Sequence, residues 1–189
     1  MIGSHNSWTY LKPKKLWMRL INFTAKCQSK DIAEQFANGA RCFDLRVRFD
    51  DEYDVTLAHG LVKYKYSYRW LLNDLKWLDG CAGEGEKIYV RILHEVRKSS
   101  MYTQERVRLF RNFCADIEQI CKNLVFFGGN NLVNWEQDYL FRDNVSIEDG
   151  YASMACPKLG WWPWLYAKLF NKKNLKRDTD KQVLMIDFV

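Results

Sequence analysis

The stretch RCFDLRVRF, residues 41 to 49, alternates without a break. Cys42, Asp44, Arg46 and Arg48 fall on one face and Phe43, Leu45, Val47 and Phe49 on the other, the period-2 signature of a strand. The apolar face needs a core to pack on, so the charged face must look into a place where Asp and Arg are useful. Outward from this stretch, DVTLAHG (54 to 60), KIYVRILHEV (87 to 96), NLVFFGG (123 to 129) and VLMIDFV (183 to 189) read as strands by their β-branched and aromatic content. Helical patterns separate most of them. SKDIAEQFANGA takes Ser29 or Asp31 as its cap, turns Ile32, Ala33, Phe36 and Ala37 to one face and stops at Gly39. SYRWLLNDLKWLDG points Tyr68, Leu71, Leu72 and Leu75 inward. TQERVRLFRNFCADIEQICKN, capped by Thr103, is the longest, with Val107, Phe110, Phe113 or Cys114, Ile117 and Cys121 on its stripe. Strand and helix in succession predict one α/β domain over residues 1–189, built on a largely parallel sheet or barrel.

Composition narrows the partners. Lys+Arg 29 against Asp+Glu 23 leaves a net charge of +6, too small to mark a nucleic-acid binder unless it clusters. No apolar run reaches the roughly 18 residues of a membrane span, and MIGSHNSWTY has neither a basic nor an apolar leader region, so neither a spanning segment nor a signal peptide is expected. The cysteines at 27, 42, 81, 114, 121 and 156 form no CxxC pair and have no nearby histidine in sequence, which fits neither a zinc site nor a disulfide scaffold. Reduced, mostly buried thiols in a cytoplasm-like compartment are expected. Residues 157 to 177, PKLGWWPWLYAKLFNKKNLKR, mix Trp161, Trp162 and Trp164 with many lysines. They read either as a loop and helix packing on the core or as an interfacial patch, with Trp in the headgroup layer and Lys toward anionic lipid.

The three histidines all lie in or beside strand ends, where α/β folds keep their sites. His5 sits in GSHNS and His59 in LAHG, and both accompany the strand that presents Asp44 and Arg46. A pair of imidazoles with a fixed guanidinium suits phosphodiester cleavage: a base for the attacking hydroxyl, an acid for the leaving oxygen and a cation for the phosphoryl oxygens.

Four ordered motifs, SHNS (4 to 7), GARCFDLR (39 to 46), AHG (58 to 60) and MIDFV (185 to 189), resemble the catalytic X-type domain of phosphatidylinositol-specific phospholipase C, across essentially the whole chain. The resemblance implies a compact, shortened TIM-type (β/α)8 barrel of the PLC-like phosphodiesterase fold. It also implies cleavage of phosphatidylinositol, or a related inositol phosphodiester, through a cyclic 1,2-phosphate with release of diacylglycerol. Carried over residue by residue, His5 is the general base, Asp187 its orienting carboxylate, Arg46 the phosphorane's cation with Asp44 beside it, and His59 the general acid. Asn6 stands where the bacterial branch has a carboxylate, which weakens any acid dyad with His59.

Arg46 replaces the acidic metal ligand of the calcium-dependent branch, so the resemblance implies the bacterial type with no metal. Asn6, Asp44 and Glu95 are the oxygen set that a Ca²⁺ ion would take if one bound. Strand alternation turns either His94 or Glu95 to the site, not both, and an Arg46–Glu95 ion pair is the favoured reading. Lys63, Tyr66 and Trp135 are candidates for contacting the head group. The chain is short for a barrel that typically takes about 250 residues, so some helices must be reduced and the first strand brief. The alternatives are a metal-dependent glycerophosphodiester or sphingomyelin phosphodiesterase of the same barrel superfamily, or a non-catalytic lipid-binding module. A monomer touching phospholipid peripherally through Trp161, Trp162 and Trp164, and no nucleic acid, completes the expectation.

Overall fold

The computed structural model describes residues 1–49, 55–83, 85–95, 103–130, 145–152 and 159–189. The quoted strand runs over Ala40–Phe49 (β2) and is the ten-residue spine of the sheet. It pairs in parallel with β1 (Ile2–Ser4) over its first residues and with β5 (Tyr89–His94) over Cys42 to Val47. β6 (Val125–Asn130) extends the sheet beyond β5, and β8 (Val183–Ile186) and β7 (Ile147–Gly150) extend it beyond β1, all in parallel. The parallel order is therefore β7-β8-β1-β2-β5-β6.

The alternation of β2 divides the molecule into an inside and an outside. Phe43, Leu45, Val47 and Phe49 enter the larger core, with Val90 and Ile92 of β5 and Phe126 of β6. Cys42 faces the other way, into a smaller cluster with Phe127, Val145, Val183 and Met185 that fills the barrel-like interior. Helices cover the outer face: α3 (Tyr68–Ala82) brings Leu71, Leu75 and Leu78, and α4 (Gln104–Ile120) brings Phe110, Phe113 and Ile117. Gly128 is required where β6 passes β5, because its φ is 127° and a Cβ there would lie 2.1 Å from the Ile92 carbonyl oxygen.

Local signals set the helix ends. Asp31 caps α2 (Ile32–Ala37) in a reciprocal capping box, accepting from the Glu34 amide while Glu34 accepts from the Asp31 amide. Ser67 and Thr103 cap α3 and α4, and Pro163 opens α5 (Pro163–Asn174). A further short helix, α1 (Leu16–Ile21), has no side-chain cap.

The structure corrects the sequence reading in three places. The strand read at 54 to 60, β3 (Val55–His59), runs antiparallel to β2 and forms a hairpin with β4 (Val62–Lys63), so two of the eight strands among the described residues are not βα units. The reason is length: residues 50 to 54 are far too few for a crossover, which takes a dozen or more. In α3 Tyr68 is exposed, and the stripe runs through Leu71, Leu75, Leu78 and Ala82 instead. In α2 Ala33 and Ala37 face solvent while Gln35 is buried, because its amide serves the backbone at Ser7 and Lys30. As expected, β1 is only three residues long, and α1 and α2 are six each.

Candidate active site

The charged groups collect where the parallel strands end. β1 stops because Asn6 takes a left-handed φ of 48°, a conformation asparagine tolerates, and its amide donates to Asp44 Oδ2 at 3.1 Å. His5, between them, is tied to β8 by its amide on the Ile186 carbonyl at 2.9 Å, so it meets Asp187 just past β8. Its Nδ1 donates to Asp187 Oδ1 at 2.7 Å, and Asp187 Oδ2 accepts from the Ala152 amide at 3.0 Å. Two donors, Arg46 Nη2 at 2.8 Å and Asn6 Nδ2 at 3.3 Å, face Nε2. That nitrogen therefore carries the lone pair and Nδ1 the proton. Tyr151 stacks on the ring, with centroids 3.7 Å apart.

Arg46 reaches from β2 to three partners. Besides His5, its Nε donates to Asp44 Oδ2 at 2.9 Å and its Nη1 to Glu95 Oε2 at 3.4 Å. Glu95 Oε1 accepts from the Gly60 amide at 2.6 Å, so one carboxylate joins the guanidinium to the turn that carries His59. His59 Nδ1 donates to the Ala25 carbonyl at 2.9 Å, and its ring lies edge-on to His5 with centroids 5.7 Å apart. A cavity of about 600 Å³ is lined by His5, Arg46, His59 and Tyr151, with Leu61, Trp161 and Pro163 at its wall.

No protein-family model matches the chain. It is 29% identical over 131 residues to 1-phosphatidylinositol phosphodiesterase of Staphylococcus aureus strain Newman; the match takes in 68% of this chain and 39% of that relative's length. A solved structure of phosphatidylinositol-specific phospholipase C from Staphylococcus aureus superposes with a TM-score of 0.66 at 16% identity, covering 100% of this chain and 84% of that one. The enzyme from Listeria monocytogenes gives 0.64 at 16% identity, covering 100% and 87%. The chain has the fold of the bacterial phosphatidylinositol-specific phospholipases C. Six of the residues expected from sequence to serve that phospholipase C chemistry, His5, Asn6, Asp44, Arg46, Glu95 and Asp187, are in one hydrogen-bonded cluster, and His59 meets it at the cavity.

Burial sets the protonation states. It pushes His5 down to about 3; Asp187 opposes this, and Arg46 adds to it. His59 is lowered for the same first reason, with Arg46 again adding to the effect. Burial alone would raise Asp44, but Arg46, Arg91 and the Asn6 amide together hold it below its usual value. Arg46 is raised, since Asp44 and Glu95 outweigh its own burial. The arrangement thus offers a neutral imidazole whose lone pair is held by Arg46, a fixed cation in contact with it and a second imidazole across the cavity.

The residues suit a metal poorly. Asp44 and Glu95, two of the three expected calcium ligands, already accept from Arg46, and a divalent ion roughly 4 Å from that guanidinium would meet repulsion of about 8 kcal/mol at an effective dielectric near 20. His5, Cys27 and Asp187 also offer ligand atoms within 4.8 Å of one another, but both His5 nitrogens are engaged, Nδ1 by Asp187 and Nε2 by Arg46.

Other expected residues fall elsewhere. Lys63 lies in β4 and is not at the cavity wall, and Tyr66 donates to Asp74. Trp135 lies outside the described residues. His94 packs against Phe49 and Phe110 on the outer side, leaving Glu95 as the one that reaches Arg46. Sequence reading missed Tyr151, which follows a four-residue strand too short to give a pattern, and Cys27, whose thiol stands 3.7 Å from His59 Nδ1. Cys27, Cys42, Cys114 and Cys121 are free thiols, and Cys156 lies outside the described residues.

Proposed function

We propose that this chain cleaves phosphatidylinositol, or a related inositol phosphodiester, by general acid/base catalysis without a metal ion. The observation that carries the reading is the contact of Arg46 Nη2 with His5 Nε2 at 2.8 Å, with His59 facing the same cavity. A substrate phosphate competes for that guanidinium. Once Arg46 turns to the phosphoryl oxygens, Nε2 is released to take the proton of the inositol 2-hydroxyl as its oxygen attacks phosphorus. Protonated His59 gives its proton to the departing diacylglycerol oxygen. The first product is the cyclic 1,2-phosphate; with water as nucleophile and the two histidines exchanging roles, inositol 1-phosphate follows. Glycerophosphodiester or sphingomyelin cleavage by a bound metal is disfavoured by Arg46, and a purely lipid-binding role by the presence of His5, Arg46, His59 and Asp187 together.

Phosphorus-31 NMR of the protein with phosphatidylinositol and with glycerophosphoinositol, each with and without EDTA, tests this reading. A cyclic-phosphate resonance that survives the chelator is expected. No cyclic product from either substrate overturns the reaction, and loss on chelation restored by Ca²⁺ overturns the metal-free mechanism.

The partner proposed is an anionic bilayer, engaged by a monomer. Leu16 and Leu20 of α1 are 75% and 77% exposed, and Trp17, Phe23, Trp161 and Trp164 are also exposed. Phe23 meets Trp161 and Trp162 with ring centroids 6.0 and 6.1 Å apart, which makes one apolar patch from α1 to the start of α5. Trp161 also belongs to the cavity wall, so the patch borders the site's mouth. Among the described residues no helix is long and apolar enough to cross a membrane. The free thiols support a reducing compartment.

A further inference from the structure

Catalysis of the proposed kind depends on a hydrogen bond between two residues 182 positions apart, His5 and Asp187, and one buried side chain touches the backbone on both sides of it. Gln28 is wholly buried. Its amide nitrogen donates to the His5 carbonyl at 3.1 Å and to the Ile186 carbonyl at 3.2 Å, and its amide oxygen accepts from the Val189 amide at 3.0 Å. Both N–H groups and the carbonyl of this side chain are therefore spent on the residue that carries the imidazole and on the residues bracketing the carboxylate. Next to it, the Cys27 carbonyl accepts from the Phe188 amide at 2.7 Å, where Phe188 holds a left-handed φ of 53°. The strap itself is anchored, since the Thr9 hydroxyl oxygen accepts from the Cys27 and Gln28 amides and donates to the Asn6 carbonyl.

We infer that Gln28 is a positioning residue that sets the His5–Asp187 hydrogen bond by clamping the end of β1 to the chain just past β8. The ordinary sheet bonds of β1 and β8 fix residues up to Ser4 and Ile186; beyond them the backbone turns away at Asn6 and at Phe188. Over this interval the described hydrogen bonds from one strand's continuation to the other are the Gln28 bridge, the His5 amide on Ile186 and the His5–Asp187 contact itself. A displacement on the order of 1 Å in such a pair costs about 100-fold in rate, and loss of an outer partner of a functional histidine costs about 10- to 100-fold. Gln28 is not among the residues that line the cavity, so its effect falls on kcat and spares KM.

The rate arm of this inference rests on the proposed function, whereas its structural arm does not. The His5 Nδ1 proton, buried and held by a carboxylate, gives a proton NMR resonance far downfield of the amides, and its disappearance in His5→Ala assigns it. In Gln28→Met, which has similar length but neither donor nor acceptor, that resonance should shift or broaden away while the amide spectrum stays dispersed. Turnover should fall about 10- to 100-fold with KM within about threefold. Gln28→Glu keeps the acceptor for Val189 but turns a carboxylate oxygen on the two carbonyls, and should give the same pair of changes. An unmoved resonance in either folded variant overturns the clamp whatever the protein's reaction is. A lost resonance with undiminished turnover keeps the clamp and overturns the catalytic role given to the dyad. Failure of both variants to fold assigns Gln28 to the scaffold alone and overturns the proposal.

Discussion

Replacing Asp187 by asparagine poses a choice that the structure does not let the side chain escape. The native carboxylate accepts twice, from His5 Nδ1 at 2.7 Å and from the Ala152 amide at 3.0 Å, in a wholly buried position. Asparagine has only one acceptor oxygen. If that oxygen serves Ala152, the NH₂ group faces Nδ1 and drives the proton to Nε2, where it points at the Arg46 and Asn6 donors and leaves no lone pair for the substrate hydroxyl. If it serves His5 instead, the NH₂ group abuts the Ala152 amide, and a buried donor goes unpaired at about 1–3 kcal/mol. The first outcome is a base in the wrong tautomer, and such an exchange in a hydrogen-bonded Asp–His pair lowers kcat by about 10⁴. Asp187→Asn is therefore expected to lose about 10³- to 10⁴-fold in turnover of phosphatidylinositol in mixed micelles, or roughly 4–5 kcal/mol of transition-state stabilisation, while remaining folded. Steady-state rates alongside a thermal melt test this. A folded variant within tenfold of the wild-type rate refutes the dyad argument.

Other outcomes follow from the same geometry. His5→Ala and His59→Ala should each lower turnover by about three orders of magnitude with little change in melting temperature; wild-type-like rates in either would remove the acid/base pair. Because His5 is unprotonated above about 3 and His59 must be protonated although burial lowers it below 6.5, kcat/KM should decline as pH rises through that lowered value. A profile that climbs from pH 6.5 to 8 contradicts this assignment of acid and base. Trp161→Ala with Leu16→Ala and Leu20→Ala should weaken binding to anionic vesicles and slow hydrolysis of vesicular substrate more than that of a short-chain soluble diester; equal losses on both would deny the patch its membrane role. Gly128→Ala should destabilise by about 3 kcal/mol or more, read in denaturant unfolding, because its Cβ has no room beside the Ile92 carbonyl.

The sequence made the spine of the sheet legible because β2 is buried on both faces by different chemistry, so its alternation survives as a plain charged-versus-apolar pattern. His5, Arg46, His59 and Asp187 could be found because strand ends and short motifs are local signals. What stayed hidden was set at a distance. The antiparallel course of β3 was written only in the length of the connection before it. α1 carries Leu16, Trp17 and Leu20 outward, so it lacked both the cap and the inward stripe by which helices are recognised. Gln28 and Cys27 look like ordinary residues of a loop, and nothing near them in the chain announces that they lie against His5, His59 and the residues around Asp187. Tyr151 follows a strand too short to show a period.

The pairing of β1 with β8 also governs when the cluster around His5 can assemble. His5 and its carboxylate partner Asp187 stand 182 positions apart, so a ribosome must make the whole stretch between them before the two can meet. Closing a loop of that length carries an entropic cost that local contacts do not, so the His5–Asp187 hydrogen bond is expected to form late in folding. A growing chain that already displays folded β2 to β6 therefore lacks the His5–Asp187 contact, and any chain cut short before β8 lacks it as well.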